Sequence, residues 1–544
     1  MKTLKYNQPG KFVLLVLSLV LLVVSCNEKE TLEDFTPARM FTPIGQSITV
    51  GETQVKIEWS PSLFSEGKDV QYTVQISKDS LFQSAPDYSV VSDTNFVIVT
   101  DANIAIRQKY FARIKANTVN GTPESNWMVS NSFTMLGEQI FKVPVAEADI
   151  IDRAVILRWT TTPGVTKLAL TPQGGASFDV AISAAENTAG NKLVENLLGN
   201  TNYTAEIFAG TKTKGLVSFK TKPTITGTSI IDLRGITGRP SVLADTIPVI
   251  PSGSIVILKR GLTYTISATT NLNKSITILS GADFIPDLAS IFFSSNFNIT
   301  AGSAIDSIVF QDLNMSSNSY ADRYVFNINQ VGTIGKVRFE NVRGHRFRGF
   351  FRMQTGSTGT KVTDFSVRNC VIDSLRDFSL VNTNNSNTVE NIRVSSTTLY
   401  NARKVIDHRS PGSQSIVFEN CTFNNLPGGG AAGGVGASYF IDLGTANSAT
   451  PISIRNCIFG KTWDDQGTGN DALGIRAGAA TTISVADSYS TSDFIISTAA
   501  AQIPGLLSYP NTASALFTDP DNGNFKIKDA SFAGKNTAGD PRWR

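Results

Sequence analysis

The chain has 544 residues, a length that predicts about three or four domains rather than a single core. It is 41% hydrophobic and 17% charged and contains 43 glycines, a composition that favours turn-rich β structure over coiled coil or disorder. Its 48 basic and 45 acidic residues leave a formal net charge of +3, which gives no general argument for binding nucleic acid.

Residues 1–26 are predicted to be a targeting segment and are excluded from the fold. Lysines precede an apolar run from Phe12 to Val24 that is too short to span a bilayer comfortably. The sequence VVSC then resembles a bacterial lipobox, which implies cleavage before Cys26 and lipidation of its thiol; an ordinary signal peptide is the alternative. CNEKE resembles the acidic export signal of surface lipoproteins in Gram-negative glycan degraders. The resemblance implies a lipid-anchored protein of the outer membrane that faces the cell surface.

Two segments of short alternating strands follow, at residues 36–137 and 140–222. The first contains VKIEWSP with Trp59 and KYFARIKANTVNG with Tyr110, and the second contains AVILRWT with Trp159 and LLGNTNYTAEIFAG with Tyr203. Both resemble fibronectin type III domains, in which a tryptophan anchors the core and a tyrosine forms the corner before a late strand. These two β-sandwiches are interpreted as spacers.

Residues 228–500 change to a composition rich in Ser, Asn, Ile and Phe, and segment 252–284 resembles the opening coils of a pectate-lyase-like right-handed parallel β-helix. Seven later segments share one register, with apolar residues four and two positions before a bend residue that we call position zero. Position zero is Asp312, Asn341, Asn369, Ser396, Asn420, Asn456 and Asp487. The steps between them, by subtraction, are 29, 28, 27, 24, 36 and 31 residues. A variable step with a fixed motif is typical of a solenoid.

Three cysteines, Cys370, Cys421 and Cys457, directly follow position zero. The apolar alternation changes phase at position zero, which predicts a bend that Asn, Asp and Ser accept readily. The cysteines are then small buried residues. Zinc is excluded because Cys370 and Cys457 lie three coils, about 14 Å, apart. A disulfide between Cys421 and Cys457 remains an alternative.

A second strand in each coil supplies the candidate ligand-binding face. Its predicted inward residues are Phe326, Phe351, Leu380, Ile406, Ile441 and Ile475. Because strand side chains alternate between faces, the residues beside them point outward, whereas His408 points inward. The glycan-binding candidates on or beside this face are Arg348, Phe350, Arg352, Arg403, Asp407, Arg409, Phe440, Asp442 and Trp463.

Two neighbouring coils carry extra loops beside this face. From position zero to the next inward residue the spacing is 10 or 11 residues in three coils, but 21 from Asn420 to Ile441 and 19 from Asn456 to Ile475. Long loops on a rigid scaffold are common places for binding sites, and tolerated surface insertion is the alternative.

The face resembles that of β-helix polysaccharide lyases, where an Arg or Lys removes a proton beside a uronate carboxylate and aspartates bind calcium. The resemblance implies basic roles for Arg352, Arg403 and Arg409, and a Ca²⁺ site at Asp407 and Asp442. Two departures matter: the acids do not fall in one column, and VIDHRS differs from the W-I-D-H strand of pectate lyases. A catalytic residue is not assigned.

The C-terminal segment 501–544 resembles the closing segment of uncharacterised β-helix lipoproteins encoded with glycan-utilisation machinery. We therefore expect a surface lipoprotein that binds an acidic, uronate-containing polysaccharide through its β-helix, as part of glycan capture and alongside an outer-membrane uptake complex. A calcium-dependent polysaccharide lyase or other glycan-degrading enzyme is the first alternative. A structural or adhesive surface protein is the second. Nucleic acid is not an expected partner.

Overall fold

The computed structural model describes residues 37–65, 68–383, 386–409, 411–429, 438–464, 472–497 and 501–544. The predicted targeting segment and Cys26 lie outside these ranges. The fold is all-β, with 47% strand and 6% helix, as expected from the composition. Contacts divide the chain into two units, one built mainly from residues up to 220 and one mainly from residue 221 onward. The exact domain boundaries given above stay predictions.

Two β-sandwiches form most of the first unit. The strands are β1 (Ile44–Val50), β2 (Gln54–Ser60), β3 (Tyr72–Ser77), β4 (Tyr88–Ser92), β5 (Phe96–Thr100), β6 (Lys109–Ala116), β7 (Met128–Val129), β8 (Phe133–Thr134), β9 (Val155–Arg158), β10 (Val165–Pro172), β11 (Phe178–Ala181), β12 (Asn191–Val194), β13 (Asn202–Ala209) and β14 (Lys212–Lys220). Sheets β1-β2-β5 and β4-β3-β6-β7, with β8 beside β6, make the first sandwich. Sheets β11-β10-β13-β14 and β12-β9 make the second.

The aromatic residues expected in the sandwich cores are buried there. Trp59 packs edge-on against Tyr72 with 5.3 Å between ring centroids, and both side chains are buried because β2 and β3 alternate between inward and outward residues. In the second sandwich Trp159 is buried, and Tyr203 stacks on Phe219 at 5.5 Å. The fibronectin type III-like prediction is confirmed at the level of fold.

A parallel β-solenoid of about nine turns forms most of the second unit. Its strands are β15 (Ile230–Asp232), β16 (Ser254–Leu258), β17 (Thr263–Ile266), β18 (Thr270–Leu272), β19 (Ile276–Ser280), β20 (Ala289–Phe293), β21 (Phe297–Ile299), β22 (Ser303–Ser317), β23 (Tyr324–Ile328), β24 (Gly332–Phe347), β25 (Gly349–Met353), β26 (Lys361–Arg368), β27 (Val371–Leu375), β28 (Val381–Thr383), β29 (Thr388–Ser395), β30 (Thr398–Ala402), β31 (Ile406–His408), β32 (Ser415–Glu419), β33 (Thr422–Asn424), β34 (Gly428–Gly429), β35 (Tyr439–Asp442), β36 (Ile452–Arg455), β37 (Ile458–Phe459), β38 (Trp463–Asp464), β39 (Leu473–Arg476), β40 (Ile483–Ala486), β41 (Tyr489–Ser490) and β42 (Leu507–Ser508). After the solenoid, β43 (Phe517–Asp519) and β44 (Asn524–Ile527) form a separate antiparallel pair.

Helices are short and few among the described residues. They are α1 (Ala184–Ala189), α2 (Val242–Thr246) and α3 (Ala513–Leu516), with 3-10 turns at Glu147–Asp149, Thr355–Ser357, Pro520–Asn522 and Pro541–Trp543. Helix α2 packs beside β17, and its buried Val242 and Leu243 join the apolar core of the solenoid.

The solenoid has three faces. The first face stacks β16, β19, the front halves of β22 and β24, and then β26, β29, β32, β36 and β40. The second face stacks β17, β20, the back halves of β22 and β24, and then β27, β30, β33, β37, β41 and β42. The third face is a separate sheet in the order β18-β21-β23-β25-β28-β31-β35-β39.

Position zero forms the corner between the first and second faces. All seven residues have a left-handed backbone, with φ between 47° and 55°. The apolar pairs before them align in register, as in Ile308 with Val337 and Phe310 with Phe339. The predicted bend and register are confirmed, because a residue in the left-handed region interrupts the alternation and Asn, Asp and Ser tolerate that region.

The Asn-Cys pairs are part of this architecture. Cys370, Cys421 and Cys457 are fully buried free thiols, and burial raises the pKa of the Cys370 thiol to about 12. The disulfide alternative between Cys421 and Cys457 is wrong, although the two cysteines sit on adjacent coils. Stacked side chains on parallel strands point the same way rather than toward each other.

The C-terminal segment 501–544 continues the second face and then folds back along it. Strand β42 adds to β41, and the later residues form an apolar cluster that includes Phe525, whose ring lies 5.2 Å from that of Tyr400. The final residues bond to the corner of position zero: Arg542 Nη2 donates to Asn369 Oδ1 at 2.7 Å, and Arg544 Nη2 donates to Asn420 Oδ1 at 2.9 Å.

Candidate functional site

One column of side chains runs along the outside of the third face. Strand pairing places its members in register on successive coils: Asn327, Arg352, Asn382, Asp407, Asp442 and Arg476. The inward alignment predicted from the sequence is confirmed except at Leu380, because Val381 pairs with Phe351 and Ile406. Because the predicted alignment was one residue off in this coil, the sequence did not identify Asn382, which lies between Arg352 and Asp407.

The predicted exposure of Phe350 and Phe440 is wrong, since both side chains are fully buried. Phe350 lies at the start of β25, where the chain enters the third face, and its ring packs 4.8 Å from that of Phe339. Gly344 leaves the space for it, because a Cβ there would come within 2.8 Å of the Phe350 ring. Phe440 packs between the rings of Phe418 and Phe423, at 5.3 and 5.0 Å.

Arg403 is also buried, with 5% of its surface exposed, so its predicted place on an open face is wrong. The backbone of Gly428 lies against it and donates a hydrogen bond to the Arg403 carbonyl at 3.0 Å. Gly428 belongs to the first inserted loop, where β34 pairs with β38 of the second insertion. The described start of the first insertion therefore covers Arg403, at a place that the sequence predicted to be open.

Asp407 and Asp442 form a cluster with three cationic side chains. Asp407 accepts from Lys404 Nζ and Arg409 Nε, both at 2.9 Å. Asp442 is held by Arg409 Nη2 at 2.8 Å and by Arg476 through Nε at 2.7 Å and Nη2 at 2.6 Å. Burial alone would raise the pKa of Asp442, but hydrogen bonds from Arg476 and the Gly444 amide, with the charge of Arg409, lower it.

This arrangement does not fit the Ca²⁺ site expected at Asp407 and Asp442. Calcium needs six to eight oxygen ligands, and all four carboxylate oxygens here already accept hydrogen bonds from Lys or Arg. In the described part of the chain, no three His, Cys, Asp or Glu side chains come together in a group that could hold a metal ion.

Arg352 stands apart from this cluster. Its guanidinium lies 4.0 Å from the ring centroid of Phe378 and 5.2 Å from that of Tyr324. Nη1 donates to Tyr324 Oη at 3.2 Å and to Asn327 Oδ1 at 3.5 Å, while the buried Nε has no hydrogen-bond partner. No carboxylate among the described residues forms an ion pair with it, and burial lowers its pKa.

Arg348 and His408 have other roles. Arg348 makes a two-bond ion pair with Asp377, at 3.0 and 3.1 Å, which raises the pKa of Arg348. His408 is completely buried, as predicted, with Nδ1 2.5 Å from Thr383 Oγ1. Desolvation by burial lowers the pKa of His408 to about 4, so the imidazole is neutral at pH 7.

Trp463 lies in a different place, at the corner between the second and third faces. A groove of about 470 Å³ runs along this corner, which we call the corner groove. It is lined by Tyr320, His345, Arg346, Ser374, Asn401, Asn425 and Trp463. Sequence reasoning missed all of them except Trp463. The available signal was a polar residue five positions after position zero in four successive coils.

The sheets and the site describe an all-β protein that combines fibronectin type III-like sandwiches with a parallel β-helix. Residues 416–543 match the model of a family described as "Domain of unknown function (DUF5123)". This match covers the later coils and the C-terminal segment.

Solved structures similar to the chain include two of fibronectin type III domains. The FN1-FN3 domains of chicken CNTN1 are 14% identical, with a TM-score of 0.16, covering 34% of this chain and 67% of that one. A two-domain fibronectin type III segment of chicken tenascin is 14% identical, with a TM-score of 0.18, covering 33% of this chain and 99% of that one. No curated protein matches the chain. At these identities and TM-scores no function follows from the likeness.

Within the ranges that the structure describes, no helix has both the length and the apolar character needed to cross a membrane.

Proposed function

We propose that this chain is a cell-surface lipoprotein that binds an acidic, uronate-containing polysaccharide through the third face of its β-helix. The observation that carries the proposal is Arg352, a half-buried cation that lies against two aromatic rings and has no ion pair among the described residues. Its outer-membrane location, its place in a glycan-capture system and its likeness to pectate-lyase-like proteins belong to the same proposal.

The chemistry of Arg352 supports an anionic ligand. A guanidinium is planar and binds a carboxylate through two parallel N–H bonds. The other cationic side chains in the column on the third face, and those around Asp407 and Asp442, already contact a carboxylate. Arg409 and Arg476, for example, both contact Asp442. The Phe378 ring and the Tyr324 hydroxyl keep the Arg352 side chain in one orientation, which lowers the entropy lost on binding.

Arg352→Ala is expected to weaken binding of polygalacturonate by about 1 to 3 kcal/mol, because a charge-assisted hydrogen bond is lost. Added salt should weaken the wild type further, since the attraction is screened. Isothermal titration calorimetry measures both effects. The matched control is Arg368→Ala on the first face, where the side chain is 64% exposed. Equal affinities of wild type and Arg352→Ala, with circular dichroism unchanged, would remove the site from this face.

Lipid anchoring is proposed from the VVSC sequence before Cys26. Cys26→Ala is expected to release the protein from the membrane fraction, because the thiol that carries the lipid is lost. The two acyl chains of that lipid then no longer insert in the bilayer. Fractionation followed by immunoblotting measures the distribution. The control is a serine substitution at the buried Cys457, which leaves the anchor intact. Full retention of the Cys26→Ala protein in the membrane fraction would contradict the lipobox interpretation.

Polysaccharide lyase activity on the same face is the first alternative, and a structural or adhesive role is the second. Arginine acts as a base at neutral pH only with special help, and the carboxylate whose charge reaches Arg352, that of Asp377, is already held in an ion pair by Arg348. Incubation with uronate polymers, with and without calcium, separates these functions. New ultraviolet absorbance from unsaturated uronate would replace the binding proposal with the lyase. Absence of both binding and cleavage across uronate polymers would favour the structural role.

A further inference from the structure

We infer that the corner groove is a second carbohydrate site, which binds a hydroxyl-rich, largely uncharged oligosaccharide independently of Arg352. The groove follows the stack of coils rather than crossing it. From His345 to Trp463 it spans four coil steps, about 19 Å at the usual strand spacing. An extended chain of several sugars fits such a length.

The floor of the groove comes from a second column of left-handed residues. Arg346, Ser374, Asn401 and Asn425 have φ between 55° and 66°. Each lies five residues after position zero, where the chain turns from the second face toward the third. The groove is lined by these four residues on neighbouring coils, so it carries a polar group at nearly every strand spacing.

Two asparagines leave complementary hydrogen-bonding atoms for a ligand. Asn425 Nδ2 donates to Asn401 Oδ1 at 2.7 Å. This bond fixes both amide planes and leaves Asn401 Nδ2 as a donor and Asn425 Oδ1 as an acceptor, one coil apart. Neighbouring sugar hydroxyls, which both donate and accept, are matched by such a pair.

His345 adds an oriented imidazole. Its Nδ1 lies 2.7 Å from Asp373 Oδ1, which also accepts from Ser374 Oγ at 2.7 Å. The side chain of His345 is 59% exposed, so Nε2 remains for a ligand in the groove. A carboxylate that accepts from Nδ1 fixes the ring orientation and the tautomer.

Aromatic rings stand toward the two ends of the groove. Trp463 is placed by the pairing of β38 with β34, which joins the two inserted loops. The Tyr320 hydroxyl lies 3.4 Å from the Leu375 carbonyl oxygen. Tryptophan and tyrosine offer flat apolar faces with a polar edge, and the C–H face of a sugar ring stacks on such surfaces.

The charges of the lining favour an uncharged sugar chain. Among the described residues that line the groove, Arg346 and His345 are the ones able to carry charge, and none is a carboxylate. The central part, from Ser374 to Asn425, is neutral. Binding there should therefore respond weakly to salt, in contrast with binding at Arg352.

The test is calorimetric titration of the full chain with neutral tetrasaccharides derived from β-glucan, xylan, β-galactan and α-mannan. We expect at least one to bind, and Trp463→Ala to weaken its binding about tenfold through lost stacking. Asn401→Ala should weaken it several-fold. Arg352→Ala should leave it unchanged, and Trp463→Ala should leave polygalacturonate binding unchanged, which separates the two sites.

No binding of any panel member at millimolar concentration would overturn the inference. So would an unchanged dissociation constant in both Trp463→Ala and Asn401→Ala. If Trp463→Ala fails to fold by circular dichroism, Asn401→Ala and Asn425→Ala decide the matter, because their short side chains lie at the corner and not in the apolar core.

Discussion

Asp442→Ala is expected to lower the free energy of unfolding of the solenoid by about 3 kcal/mol, the lower part of the range for breaking a buried ion pair. Asp442 is 1% exposed and takes hydrogen bonds from Arg409, Arg476 and the Gly444 amide. Its removal leaves two arginines without their shared carboxylate. Their side chains are 52% and 42% exposed, so water recovers part of the loss.

The measurement is chemical denaturation of the full chain, following the transition assigned to the solenoid. Asp521→Ala is the matched control, since Asp521 bonds to Lys461 at 2.6 Å but its side chain is 68% exposed. That substitution should change stability by less than about 1 kcal/mol. If the two variants were equally stable, the cluster around Asp442 would not contribute to the fold.

Lowering the pH from 7 to 5 is expected to reduce the stability of the solenoid by about 2 kcal/mol through His408. The pKa of His408 is about 4 in the folded chain, below the usual 6.5, because burial penalises the charged imidazole. The unfolded chain therefore binds more protons between these pH values. The stabilisation that neutral His408 contributes is fully present above the pKa of the unfolded chain. It is lost as the pH falls toward the pKa of the folded chain.

Replacing His408 with glutamine, which does not titrate, should flatten this part of the pH profile. The comparison uses denaturation midpoints of both proteins at several pH values, with unchanged slopes confirming the same transition. A wild-type profile no steeper than that of His408→Gln would show that another group carries the pH dependence. The buried position beside Thr383 is the reason for choosing a polar replacement.

The sequence predicted the solenoid well because its signal is periodic. In every coil the residues four and two positions before position zero are apolar, as they are before Asn341 and Asn420. The strand pairing repeats this register. The bend at position zero was also predictable, because Asn and Asp are the residues that accept a left-handed backbone. In both sandwiches the buried tryptophans had a similar local signature.

The candidate site was harder to predict because alternation does not hold at corners. Phe350 occupies space left by Gly344, a compensation between two residues that no period reveals. Arg403 is covered by an inserted loop whose path is absent from the repeat. The ion pairs at Asp442 depend on which side chains of three successive coils come into contact. These contacts are hard to predict because the number of residues per coil varies.

The C-terminal segment has a consequence for how the solenoid comes apart. Stacked repeats ordinarily fray from an exposed end, one coil after another, because each contacts only its neighbours. Here the last residues bond to Asn369, Asn420 and, through the Gly539 amide, to Asn456, on three different coils. The buried Asp540 accepts a further bond from Thr398 on a fourth. These coils are joined by the C-terminal segment as well as by stacking, so they open together. Amide hydrogen exchange should therefore occur across them as a single cooperative event, rather than becoming gradually slower from one coil to the next.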